Sequence, residues 1–199
     1  MENKYGDILR KELILALGCT EPIAIAYAAA LTKNQLGVFP SRIVIRVSGN
    51  IIKNVKGVVV PNTNGLRGIK AAAIAGALSS KPESKLEVLE YVSGQDIKRI
   101  SDLVQRTDME IIQEKGKNNL YINVTSYSEH DKSQVIIEEK HTNVVLLTKN
   151  DGIIEDAKAS VREDGKTDYS FMTYDGIYDF AFRGNIEPVI KIINRQIES

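Results

Sequence analysis

Residues 108–149, DMEIIQEKGKNNLYINVTSYSEHDKSQVIIEEKHTNVVLLTK, decide the fold class of this 199-residue chain. Four runs rich in β-branched residues stand in succession: 109–114 (MEIIQE), 120–128 (LYINVTSYS), 133–140 (SQVIIEEK) and 143–149 (NVVLLTK). Polar turns carrying KGKNN, EHDK and KHT separate them. Apolar and polar residues alternate along these runs, the period-2 pattern of a strand with one buried face. The spacing predicts successive strands in an antiparallel meander whose second face is wet.

Outward from that block the pattern turns helical. Ile8, Leu9, Leu13 and Leu15 predict a helix over 4–16, ended by Gly18. Thr20 as N-cap and Pro22 in the first turn predict a second helix over 21–34. Its alanines (24, 26, 28, 29 and 30) permit close approach of other elements. RIVIRVS at 42–48 alternates like a half-buried strand. GNIIKN at 49–54 reads as an interruption, GVVVP at 57–61 as a short buried strand, NTNG as a turn, and 64–80 as a helix of small residues. Ser93 and Asp96 form a capping-box-like pair before Ile97, Ile100, Leu103 and Val104, which predicts a helix over 94–106. Beyond the strands, 150–172 is polar and loop-like. Residues 173–183 and the stripe Ile186, Val189, Ile190, Ile193 and Ile197 predict helices at the end. The expected class is α+β: N-terminal helices, a central, mostly antiparallel sheet and C-terminal helices, in a single domain over 1–199.

Composition narrows the function classes. The 26 basic residues balance 26 acidic ones, so no electrostatic footprint for nucleic acid or an anionic membrane is present. Tryptophan is absent and aromatics make up 6%, which argues against a base-stacking platform. One cysteine cannot form an internal disulfide and suits a reducing compartment. The N-terminus lacks the apolar core of a signal peptide, and the longest apolar run, IAIAYAAAL at 23–31, is about half of a bilayer span. The expectation is a soluble, cytoplasmic protein.

Three segments carry candidate chemistry. Cys19 stands just before a helix, where the partial positive charge and free N–H groups of the helix end favour a thiolate. A thiolate attacks carbon or binds metal, but a small buried cysteine at a helix start satisfies the same pattern. The segment 48–65, SGNIIKNVKGVVVPNTNG, offers backbone N–H groups and amide side chains suited to a carboxylate, or is an ordinary connection with exposed lysines. KHTNVV at 140–145 places His141, Thr142 and Asn143 at a strand start, where a plain turn is the alternative. His130, inside SEHDK, reads as a surface residue.

Taken together, LGCTEP (17–22), SGNIIKNVKGVVVPNT (48–63), AAAIAGAL (71–78) and HTNVVLLTKNDG (141–152) resemble, in order and spacing, the L-cysteine desulfidase family. That family is related to the alpha chain of iron–sulfur-dependent L-serine dehydratases. The resemblance runs to about residue 152. It implies a lyase with a [4Fe–4S] cluster held by three cysteines, one iron being left open to act as a Lewis acid on the substrate. The reaction is β-elimination from L-cysteine or L-serine to pyruvate and ammonia, with sulfide released from cysteine. By resemblance Cys19 is one cluster ligand. Glu21, Asn50, Lys53, Asn54, Thr63, Thr142 and Asn143 are candidate substrate-binding residues, and Lys53 and His141 candidate catalytic groups.

Two departures matter. Members of that family are roughly twice as long, and their other cluster cysteines lie in a C-terminal half absent from this sequence. A single cysteine cannot hold a [4Fe–4S] cluster, so this chain is expected to carry none by itself. It is expected to need a missing C-terminal domain or subunit, and its exposed apolar surface favours a homodimer. The family's Pro-Gly-Thr turn is Pro61-Asn62-Thr63 here, and asparagine tolerates the positive φ such a turn needs. An alternative is a non-catalytic amino-acid-binding or regulatory module derived from the family. A thiol-nucleophile enzyme pairing Cys19 with His141 is a third, with no support from spacing.

Overall fold

The computed structural model describes residues 4–79, 81–150, 152–156 and 168–198. In chain order the elements are α1 (Lys4–Glu12), α2 (Thr20–Leu36), β1 (Arg42–Ser48), α3 (Gly49–Val55) and α4 (Gly68–Leu78). A kinked 3-10 segment (Pro82–Tyr91) and α5 (Gly94–Arg106) follow. Then come β2 (Asp108–Glu114), β3 (Tyr121–Tyr127), β4 (Lys132–Glu138), β5 (Val144–Lys149), β6 (Gly152–Asp156), α6 (Tyr174–Arg183) and α7 (Glu187–Glu198). The class is α+β, with helices at both ends. Among the described residues no helix is long and apolar enough to cross a membrane. The chain divides into two compact units, Ala16–Ser160 and Met1–Leu15 with Val161–Ser199.

The larger unit is built on one six-stranded sheet in the order β2-β1-β3-β4-β5-β6. Every pairing is antiparallel except β1 with β2, which run parallel. A parallel pair needs a long crossover, and α3, α4, the 3-10 segment and α5 supply it. The expected simple meander is therefore corrected. β3, β4 and β5 form it, but β2 pairs on the far side of β1, because alternation marks a strand without naming its neighbour. Ile43, Ile45, Val47, Ile122, Val124, Val135 and Ile137 alternate onto one face and are fully buried. On the other face the amide of Gln134 donates to Asn123 Oδ1 (3.0 Å), and that of Asn123 to Tyr121 Oη (3.3 Å). Arg42 and Arg46 pair with Glu110 and Glu114 at 2.8 and 3.0 Å.

α2 packs on β3 and β4 on one side and on α4 and the 3-10 segment on the other. Ile23 through Ala29 are buried on every side, so the helix shows no polar face. The buried hydroxyl of Thr32 donates to Ala29 O (3.0 Å) and accepts from Ser126 of β3 (2.7 Å). The small-residue faces of α2 and α4 are consumed within this unit: the two helices pack on each other.

Five local expectations change. Residues 49–54 do not interrupt the chain but form α3, capped by Ser48 Oγ accepting from Ile51 N (3.4 Å). Ile51 and Val55, four apart, bury its inner face. Residues 57–61 make one bridge, Val59 to Arg67, rather than a strand. α4 begins at Gly68 instead of 64, since Asn64, Gly65 and Gly68 all have positive φ. The first helix stops at Glu12, short of Gly18. β6 lies within the stretch read as loop, whose positions 151 and 157–167 fall outside the described residues.

The predicted cap of α5 is present: Ser93 Oγ accepts from Asp96 N (3.1 Å) and donates to Asp96 Oδ2 (2.7 Å). Ser93→Ala is expected to lower stability by about 1 kcal/mol, read as a shift in the urea midpoint at unchanged slope.

In the smaller unit Tyr5 of α1 packs edge-on against Phe171 (5.2 Å between centroids) and stacks on Phe180 of α6 (5.3 Å). Leu13 and Ile14 meet Ile192, Ile193 and Ile197 of α7 around a groove of about 220 Å³. Of the predicted α7 stripe, Val189 is buried while Ile186 and Ile197 are exposed.

Candidate functional site

The site grows from the turn ahead of α2. Gly18 takes φ 94°, and Pro61 Cγ lies against it, 3.4 Å from where a side chain would begin. Cys19, not Thr20, occupies the N-cap position, with extended φ/ψ of −63°/126° and no capping bond from its side chain. Thr20 is the first helical residue. A left-handed Gly18 followed by an extended residue sets the helix start one position earlier than hydroxyl preference suggests.

Glu21 is the hub. Its Oε2 accepts from Cys19 Sγ (3.3 Å) and Thr20 Oγ1 (3.3 Å), and its Oε1 accepts from Asn54 Nδ2 (3.2 Å). Burial pulls the Glu21 pKa up, but the hydrogen bonds from Cys19, its own backbone N–H and Asn54, together with the field of His141, outweigh it. The net shift is downward from 4.5. His141, in the turn between β4 and β5, has its Nε2 buried without a hydrogen-bond partner. Burial lowers its pKa from 6.5 against the opposing pull of the Glu21 charge. Cys19, exposed, has its pKa raised rather than lowered. Partial burial is the largest cause. The hydrogen bond to Glu21 and that carboxylate's charge add to it, outweighing a backbone hydrogen bond that acts the other way. The expectation of a helix-activated thiolate is corrected: partial burial, reinforced by the carboxylate two residues on, favours the protonated thiol.

The sequence candidates divide accordingly. Cys19, Glu21 and Asn54 are joined by hydrogen bonds, and His141, from a third segment, lies within reach of the Glu21 charge. α3 places Asn50, Lys53 and Asn54 at i, i+3 and i+4, one face of the helix. Asn50 and Lys53 are exposed on it. Thr63 is buried, and its hydroxyl is occupied by Val60 O (2.6 Å) and Leu66 O (3.3 Å), so it staples its own turn. Asn62 holds φ 54° and donates to Leu89 O (2.8 Å), keeping the turn with asparagine where the family's pattern has glycine. Asn143 donates to Glu138 O (3.0 Å), and Thr142 O accepts from Val144 N (3.1 Å), so both shape the His141 turn. His130 is exposed, as its setting predicts. Thr20 was missed as a Glu21 partner because hydroxyls before helices ordinarily cap them. A separate open pocket of about 390 Å³, lined by Asn64, Lys98 and Ser101 among others, was not legible, because turn and helix meet there only in space.

Among the described residues no group of three or more His, Cys, Asp or Glu is placed to hold a metal ion. The arrangement instead offers a thiol, a carboxylate and an imidazole in one neighbourhood, a set suited to proton movement on a small polar ligand.

His141 carries a pH prediction. Its folded pKa lies below the ordinary 6.5, so its contribution is complete above about pH 6.5 and is lost as pH falls through the lower folded value. The melting temperature is expected to fall between pH 7 and pH 5, with a shallower slope in His141→Asn. An equal slope in both proteins counts against the buried imidazole. Glu21, shifted below 4.5, acts in a lower window.

Fold and site define an α+β protein with a Cys-Glu-Asn-His constellation at the start of a buried helix. The chain is similar to proteins named only as UPF0597 proteins. It is 38% identical over 97% of its length to one from Finegoldia magna, 39% over 98% to one from Treponema denticola, and 35% over 94% to one from Vibrio campbellii. The matches cover 46%, 46% and 44% of those proteins, so the chain spans about half the length of the curated relatives it matches. No family model matches the chain, and no solved structure does.

Proposed function

We propose that this chain is one half of a [4Fe–4S]-dependent lyase that β-eliminates L-cysteine or L-serine to pyruvate and ammonia, with sulfide from cysteine, and is incomplete alone. The observation that carries the reading is the Glu21 hub. It joins Cys19 and Asn54 by hydrogen bonds and its charge acts on His141, linking three of the four segments on which the resemblance rests. The doubled length of the similar UPF0597 proteins supports an additional half.

The residues of this chain do not by themselves fit a cluster. One thiol is present, and such a centre takes three or four protein ligands. Cys19 is read as the single ligand this half contributes, and the remaining cysteines as belonging to the other half. What this chain does for a substrate is binding and proton handling. The face carrying Asn50 and Lys53 meets the amino-acid carboxylate, and Asn54 ties that face to Glu21. His141, neutral above its lowered pKa, has a buried Nε2 free to accept a proton. The single thiol and an oxygen-sensitive centre suit a cytoplasmic setting.

The test is anaerobic reconstitution. This chain is mixed with the complementary portion of a longer relative, iron and sulfide, and pyruvate is measured from L-cysteine and from L-serine. The expected result is turnover and cluster absorbance, both lost in Cys19→Ala. Full cluster content and activity in that variant would remove the ligand assignment. Substrate binding without turnover in the complete mixture would make the chain a binding module instead.

A further inference from the structure

The described residues of the smaller unit supply little core. Among its described residues Gly6 and Val189 are buried. So small a described interior contributes little to holding three helices, because stability scales with the apolar area removed from water. α6 shows where the deficit lies. Gly176 and Phe180 form the face turned toward Tyr5 of α1. Tyr174, Tyr178 and Phe182 stand roughly 180° around the helix from that face, counting about 100° per residue. They are 81%, 57% and 73% exposed.

These three rings are already ordered on one another. Tyr174 and Tyr178 stack with centroids 6.4 Å apart, and Tyr178 and Phe182 lie 4.7 Å apart. The result is an aromatic ladder roughly 12 Å long. Large rings lose few rotamers on burial and dominate the energy of interfaces, and an isolated ladder of them in water is otherwise unfavourable. The similar proteins carry this 199-residue segment in chains of about twice the length, so in them it lies beside an equal or greater amount of further polypeptide. The small-residue helices α2 and α4 are unavailable to receive that polypeptide, since they are buried against each other.

We propose that the Tyr174–Tyr178–Phe182 face of α6 is the docking surface for the polypeptide corresponding to the half of those relatives that this chain does not span. It rests on the reading of this chain as one half of a longer protein, but not on the reaction assigned to it.

The test uses this chain and, as a separate polypeptide, the portion of the Finegoldia magna relative outside the aligned region. The relative's own aligned segment serves as the positive control. Size exclusion with light scattering is expected to give a 1:1 complex. Tyr178→Glu with Phe182→Glu is expected to weaken it by about a hundredfold or more, with helix content by circular dichroism unchanged. Phe182→Tyr is expected to bind like the parent. A 1:1 complex indifferent to the charged substitutions overturns the surface and leaves the two-half reading standing. Self-association of this chain that those substitutions abolish assigns the face to a second copy and overturns the proposal. No complex when the control assembles overturns both. A complex that depends on the ladder but shows no lyase activity after reconstitution keeps the surface and removes the proposed reaction.

Discussion

Gly76→Ala is expected to destabilise the larger unit by a net of about 2 kcal/mol or more. A Cβ at Gly76 would fall 2.5 Å from the Cα and carbonyl carbon of Ala26, and closer still to its oxygen. These are backbone atoms of α2, which is pinned between the sheet and α4, so no flexible side chain can yield. Overpacking of this kind costs about 3 kcal/mol, at the upper end of the usual range, while helix propensity returns about 1 kcal/mol. The clash therefore wins. Gly94→Ala is the control: nothing lies within 4 Å of its Cβ position, and it is expected to be neutral or slightly stabilising. Urea denaturation of both variants decides the matter. A Gly76→Ala protein within about 0.5 kcal/mol of the parent would mean that the two helices do not approach as described.

Glu21→Gln is expected to shift two titrations in the same direction. The thiol pKa of Cys19 falls, because a hydrogen-bonded carboxylate and its negative charge no longer favour the protonated form. The pKa of His141 also falls, because the charge that favours its imidazolium is removed while the burial that opposes it remains. At neutral pH the alkylation of Cys19 by iodoacetamide is expected to accelerate severalfold, less than the gain in thiolate fraction, since nucleophilicity declines with pKa. The His141 titration is followed by NMR, with His130→Gln assigning the two histidines. Collapse of the site would give a different signature, the histidine rising toward 6.5 as it gains water. A His141 that rises, or a thiol whose reactivity does not change, would remove Glu21 from the centre of the site.

Much of the helix and strand content was legible locally. The four runs of 108–149 alternate because one face of each meets the core, and alternation survives whatever the neighbouring strand is. The Ser93 cap was legible because a hydroxyl three residues before an acidic side chain has one common use. α3 was not. Its seven residues are too few to display a helical period, and the burial of Ile51 and Val55 that stabilises it is tertiary. The start of α2 was off by one for a comparable reason: the left-handed Gly18, against which Pro61 packs, sets it in place of a hydroxyl cap.

The site was legible as a set of residues and not as an arrangement. Cys19, Glu21, Asn54 and His141 were each marked, but Thr63 was marked with them and proves to be a turn staple. Side-chain type cannot separate a hydroxyl that meets a ligand from one that satisfies its own backbone, because both carry the same donor and acceptors.

The amino-acid sequence by itself determined the α+β class, most of the elements, the single thiol and the three segments that bear the candidate chemistry. These depend on periodicity, turn residues and counting, all of which act within a few positions along the chain. The tertiary structure alone decided that β1 and β2 run parallel, that α2 and α4 spend their small-residue faces on each other, and that Glu21 gathers the three segments. It also reversed the expected shift of Cys19. Each of these depends on groups distant in sequence being brought within a few ångströms, and electrostatics and packing act across space rather than along the chain.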